Sequence, residues 1–163
     1  MKEVDARERS ILNELMHINR DGFLGYIEAA NDLDNKDLQQ LLRKKALERN
    51  EFAFNLRHEA LKRAYKLPSE DSFWGKMHRS WMMFRHRMNP HQDQVMLSEC
   101  RRGAEHALKV YQDVFENHIL SDLQPNLERQ FVKIIEMRDM LRQECYPNEN
   151  RPECGSVLHL SNE

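Results

Sequence analysis

The chain has 163 residues, enough for one compact domain and short of two. With five Gly and five Pro it is poor in helix breakers, which fits long helices and argues against a sandwich or barrel with its many turns. The 25 basic and 27 acidic side chains leave a net charge of −2, so no positive excess is present to grip phosphate backbones, and nucleic acid is not an expected partner.

The opening MKEVDARERS carries no apolar signal core, and no run of about 18 apolar residues occurs anywhere, so a cytoplasmic protein without a membrane span is expected. Residues 5–33 read as a first helix, with Ile11, Leu15, Ile18, Gly22, Tyr26, Ala29 and Leu33 on one face of a 3.6-residue period. Asn31 to Asn35 end it, and Asp34 or Asn35 is placed to cap a second helix antiparallel to the first. That second helix, over 36–66, has Leu38, Leu41, Leu42, Phe52, Leu56, Ala60 and Ala64 in its stripe, with Lys45 and Arg49 in the middle. Leu67-Pro68 closes it, because Pro disfavours helix at the preceding residue.

A shorter helix is expected over 70–88, with Phe73, Met77, Trp81, Phe84 and Met88 on one face. The next, over 92–117, places Met96, Cys100, Gly103, Ala107, Tyr111 and Val114 in register. The last, over 122–144, places Leu123, Leu127, Phe131, Ile134, Arg138, Leu141 and Cys145 in register. Beyond Tyr146 two Pro, a Gly and no period suggest a flexible tail over 147–163. Residues 1–146 thus read as one all-α domain, an up-down four-helix bundle whose long crossover carries a short extra helix. One long crossover is the ferritin-like arrangement.

Asn19-Arg20-Asp21-Gly22-Phe23-Leu24-Gly25-Tyr26, then Glu48-Arg49 with Phe52, His78-Arg79-Ser80-Trp81-Met82, Glu99-Cys100-Arg101-Arg102-Gly103-Ala104-Glu105, Arg129-Gln130-Phe131 and Arg138-Asp139 follow one another in order. Together they resemble a bacterial family of small four-helix-bundle proteins of unknown function in the ferritin-like superfamily. The resemblance runs over about residues 10–143 and implies the fold; it brings no activity to carry over.

Ferritin-like di-iron sites take a Glu from each of two helices and a Glu-x-x-His from each of the other two. Here the second helix offers Glu48 and Glu51 with no His, and the inward position of the last helix is Arg138, where the resembling family tends to have a His. Arg has no lone pair to give a metal. A divergent iron or manganese site built on Glu48, Glu51 and Glu99 is therefore the alternative, and no cofactor is the main expectation. The main expectation for the polar residues is a salt-bridged polar core of Asn19, Tyr26, Lys45, Glu48, Arg49 and Arg138, in which Glu48 pairs with Arg49 or Arg138 and fixes helix register.

Cys100 and Cys145 sit on apolar stripes and read as small core residues. Cys154 makes the count odd, which in a chain without an export signal points to reduced thiols; a Cys145–Cys154 loop would need oxidation. Phe73, Trp74, Met77, Trp81 and Phe84 are more apolar surface than one short helix needs and suggest an interface, for a homo-oligomer or another protein partner. The expected function is non-catalytic binding or assembly.

Overall fold

Stretches in which apolar residues recur every three or four positions fold as helices that bury that face. The computed structural model describes residues 2–67, 83 and 93–145. These form four α-helices and no strand: α1 (Lys2–Asp32), α2 (Lys36–Lys62), α3 (Asp93–Glu116) and α4 (Gln124–Cys145), the last entered through a 3-10 turn over Ser121–Leu123. The expected helix over 70–88, with Phe73, Trp74, Met77, Trp81 and Phe84, and the tail over 147–163 lie outside the described residues.

Helix α1 packs along α2 and also along α3, and α3 packs along α4. Contacts at the two ends give the directions. Asp34, in the corner between α1 and α2, donates its backbone N–H to Asp93 Oδ1 at 3.2 Å, so α3 begins where α1 ends. At the other end the Tyr65 hydroxyl donates to Glu8 at 3.2 Å, and Arg63 pairs with Asp122 beside the start of α4. The helices therefore run up, down, down, up, and Leu67 and Asp93 stand at opposite ends of the bundle.

The α1–α2 corner is held by Asn35, whose side chain accepts from the backbone N–H groups of Asp37 and Leu38, satisfying donors that the first turn leaves open. Helix α2 stops at Lys62, earlier than the expected 66, because the chain turns left-handed at Ala64 (φ 55°). Tyr65 N–H then reaches the Ala60 carbonyl at 3.0 Å and Ala64 N–H the Leu61 carbonyl at 2.9 Å, the paired closure of a Schellman end. Helix α3 closes the same way, through Ile119 N–H to Val114 at 3.1 Å and His118 N–H to Phe115 at 3.2 Å, with His118 at φ 52°.

Three stripes differ from expectation by one position. On α4 the buried residues are Leu127, Gln130, Ile134, Met137, Leu141 and Cys145, so Gln130 and Met137 take the places expected for Phe131 and Arg138. On α2 it is Ala46, not Lys45, that points fully inward, and on α3 it is Ala104, not Gly103. Spacings of three and four both return to one helical face, so neighbouring candidates compete; at Lys45/Ala46 and Arg138/Met137 the uncharged residue of the pair is the one buried.

The core falls into two apolar clusters. One holds Leu15, Ile18, Phe52, Leu56, Tyr111, Leu127 and Ile134 among others. The second, toward the Asp34 end, holds Tyr26, Ala29, Leu42, Ala46, Cys100, Met137 and Leu141 among others. The seam between them crosses α2 between Ala46 and Phe52, where Arg49 lies.

A left-handed residue with a Cβ costs about 1 kcal/mol relative to Gly. Ala64→Gly is accordingly expected to raise the unfolding free energy by about that much, read from urea denaturation followed by circular dichroism.

Candidate functional site

Each helix sends one polar group into the middle of the bundle. From α2 comes Arg49, 4% exposed, whose Nη2 donates to the Ile18 carbonyl of α1 at 2.8 Å. That carbonyl points along α1 toward residue 22, and the guanidinium reaches it because residue 22 is Gly. A Cβ built there would lie 2.5 Å from Arg49 Nε and 2.9 Å from Nη2, well inside contact distance. The glycine is thus explained by close approach and not by an unusual φ.

From α1 comes Asn19, fully buried, whose Nδ2 donates both to the Leu15 carbonyl and to the Tyr111 hydroxyl of α3, each at 2.8 Å. Tyr111 in turn donates to Gln130 Oε1 of α4 at 2.6 Å. Burial first of all, against the nearby Arg49 charge and the Asn19 hydrogen bond, pushes the Tyr111 phenol up to about 12, so it stays a neutral relay of hydrogen bonds. Phe131 and Phe115 pack around its ring at centroid distances of 6.4 and 6.5 Å.

Among the described residues the guanidinium has no carboxylate within salt-bridge distance, and its Nε and Nη1 are buried without a hydrogen-bond partner. Its charge acts on Asp21, one Oδ of which is likewise buried without such a partner. Burial raises the Asp21 carboxyl from 3.8 to about 6, and the Arg49 charge opposes only part of that rise. Burial also raises the Tyr26 phenol, although Arg49 again pulls it down; Tyr26 belongs to the second apolar cluster.

The expected pairing of Glu48 with Arg49 or Arg138 is not the one formed. Glu48 accepts from Lys45, three residues earlier on α2, at 2.9 and 3.1 Å, and faces Lys133 of α4 at 3.8 Å. Arg138 pairs with its neighbour Asp139 at 2.7 Å with its side chain about one-third exposed. Both pairings follow from sequence proximity: a partner one to three residues away costs less side-chain entropy than one across the core. Lys45 and Glu48 form a half-buried rim beside the polar layer.

Of the carboxylates of the metal alternative, Glu48 and Glu99 are engaged by cations of their own helices. Glu99 accepts from Arg102 Nε at 3.0 Å, and Glu51 is exposed on α2. Among the described residues no group of three or more His, Cys, Asp or Glu side chains is close enough to hold a metal ion, so Glu48, Glu51 and Glu99 do not converge. The donor set does not fit a di-iron or di-manganese centre. Cys100 is buried, and that burial, with Cys145 and Glu99 adding to it, pushes its thiol up to about 12, the opposite of the shift that activates a thiol.

Between α2 and α4 lies a groove of about 310 Å³, with Phe52, Leu56, Leu123 and Leu127 in its floor and Glu51, His58, Glu59, Arg129 and Lys133 on its rim. Gln130 also lines it, so the hydrogen-bond chain that starts at Leu15 ends at the groove wall.

Tyr111 and Gln130 are the members of the layer that composition and periodicity did not single out. Gln130 carried a signal, standing three residues after Leu127 and four before Ile134; Tyr111 read as ordinary core.

A helical bundle with one mid-height polar layer is the class these features define. Within it, the model of a domain of unknown function, DUF2383, matches residues 8–117, and the chain belongs to that family. The match takes in most of α1 and all of α2 and α3 and leaves out α4. No curated protein and no solved structure matches the chain. Among the described residues no helix is long and apolar enough to cross a membrane.

Replacing a helical Gly by Ala ordinarily stabilises by about 0.5–1 kcal/mol, and Gly25→Ala, where an added Cβ meets nothing within 4 Å, is expected to do so. Gly22→Ala is expected to do the opposite, losing about 1–3 kcal/mol by displacing Arg49. Thermal unfolding of the two variants side by side checks the contrast.

Asp21 gives a pH dependence of the same layer. Its carboxyl binds protons more tightly folded than unfolded, so it lowers stability as pH rises from about 4 through 6, and the penalty is fully present at pH 7. Asp21→Asn replaces the ionised carboxyl by a neutral amide and is expected to stabilise at pH 7 by about 1 kcal/mol, discounted for partial exposure, with the gain fading toward pH 4. Unfolding free energies of both proteins across that range check the sign.

Proposed function

We propose that this chain is a non-catalytic, ferritin-like helical bundle of the bacterial cytoplasm that works by binding or assembly, as a homo-oligomer or with a protein partner. The observation that carries the reading is a line of large apolar side chains on the outer side of α2: Leu47, Phe54 and Leu61 stand in solvent at seven-residue intervals. Apolar side chains aligned along one exposed helix face mark an interaction surface more than scattered ones do. The up, down, down, up order supports the ferritin-like part. The polar layer fits a scaffold, since Arg49, Asn19, Tyr111 and Gln130 engage one another's helices and the carboxylates beside them face lysines and arginines of the same chain.

The alternative, a divergent iron or manganese carboxylate protein, would require Glu48 to exchange Lys45 for a metal and Glu99 to exchange Arg102. Elemental analysis of protein purified without chelator or affinity tag separates the two. Well under one equivalent of iron or manganese is expected; about two equivalents, as in di-metal bundles, would overturn the scaffold reading.

A further inference from the structure

Taking the assembly reading as its premise, we propose that the occupant of the exposed α2 face is a second copy of this chain, docked with its own α2 antiparallel and crossing at Phe54. Leu47, Phe54 and Leu61 are 64%, 67% and 56% exposed, although each is a side chain that ordinarily seeks a core. At 100° per residue they drift by about 20° per heptad, so they form one shallow seam, about 120° around the helix from the centre of the face that buries Ala46, Arg49, Ala53, Leu56 and Ala60. A repeat of seven is the spacing with which one helix presents a continuous line to another helix.

The line is symmetric about Phe54, and that symmetry selects the partner. A two-fold axis through Phe54 sets Phe54 against its own image and Leu47 against Leu61 of the second copy, twice over. An isologous contact needs this self-complementarity, and an unrelated partner would not impose it.

The flanking residues agree with the same operation. Glu51 and His58 lie on one flank of the seam, three residues before and four after the centre. In an antiparallel pair each flank meets the same flank of the copy, so Glu51 comes level with His58 of the second copy. On the other flank Asn50 comes level with Arg57 of the second copy. A carboxylate thus meets an imidazole donor and an amide meets a guanidinium, and each pair occurs twice. A parallel arrangement would instead bring the exposed Arg43 and Lys44 level with their own images and align the two helix dipoles side by side.

Three apolar side chains per copy are less than the roughly 800 Å² per partner of a standard interface, so the pairing is weak, in the range of tens of micromolar. Sedimentation equilibrium of the full chain from about 5 to 500 µM is the first measurement. A reversible monomer–dimer equilibrium is expected, with Phe54→Glu shifting it at least tenfold toward monomer at unchanged helicity. The arrangement is then read by disulfide trapping in a Cys154→Ser background. Leu47→Cys and Leu61→Cys chains are expected to cross-link when mixed and not when either is alone, whereas Phe54→Cys cross-links with itself.

A dimer that Phe54→Glu leaves intact overturns the α2 contact while the assembly reading stands. Cross-linking of Leu47→Cys with itself overturns the antiparallel arrangement. A monomer throughout the concentration range overturns the pairing of copies altogether, and the assembly reading is then confined to a different protein partner.

Discussion

The whole interior is arranged around one guanidinium laid against a helix backbone. Arg49 reaches across from α2 to the Ile18 carbonyl, and Gly22 gives it the room to do so. Burying a cation costs several kcal/mol unless hydrogen bonds and nearby charge offset it. Here the offsets are a backbone acceptor and the partly buried Asp21 carboxylate, which itself is held closer to neutral by the same burial. The arrangement tolerates little sliding. Moving α2 by one turn along α1 would press the guanidinium against Ile18 or Tyr26, both of which carry large buried side chains, so the position of a charge sets the position of two helices.

What Arg49 does for α1 and α2, Tyr111 does for the remaining helices. A phenol can accept and donate at once, and this one accepts from Asn19 of α1 while donating to Gln130 of α4. The three groups are each buried, and the direction of every bond is fixed by chemistry: the Asn amide nitrogen can only donate, the Gln carbonyl can only accept, and Tyr111 is the one group able to stand between them. A neutral chain of this kind avoids the desolvation penalty that a set of ion pairs would bring. That is why the ion pairs of the molecule have moved outward, to Lys45–Glu48, Arg102–Glu99 and Arg138–Asp139.

Much of the fold was legible in the sequence, and the site only in part. The helices follow from spacings of three and four, and the corner after α1 from Asn35, a residue whose side chain suits an N-cap. Arg49 and Asn19 stood out because a strong polar group on an otherwise apolar stripe has few innocent explanations. Arg138 stood out for the same reason and is about one-third exposed, because Met137 one position away fills the core without a charge. A wheel drawn at 100° per residue cannot decide between neighbours 100° apart when both can be rotated to the edge of the stripe. Glu48 shows a second limit: periodicity tells which face a carboxylate is on, whereas its partner is settled by which cation has the shortest reach, and that was Lys45. The end of α2 illustrates a third, since an Ala in a left-handed conformation gives no compositional sign that the helix has stopped.

Helix α2 breaks the usual division of a surface helix on both sides at once. It buries a cation and exposes Leu47, Phe54 and Leu61, where an amphipathic helix would do the reverse. The inward anomaly is compensated within the chain, by the carbonyl of Ile18 and the missing Cβ of Gly22. For the outward one the described residues offer no cover, and burial against another surface is the compensation open to it. The two anomalies are linked by the helix itself: with Arg49 locked to α1, α2 cannot rotate to bring Phe54 inward without withdrawing the guanidinium from its acceptor. The same contact that orders the interior therefore holds the apolar seam in the solvent, rigidly presented.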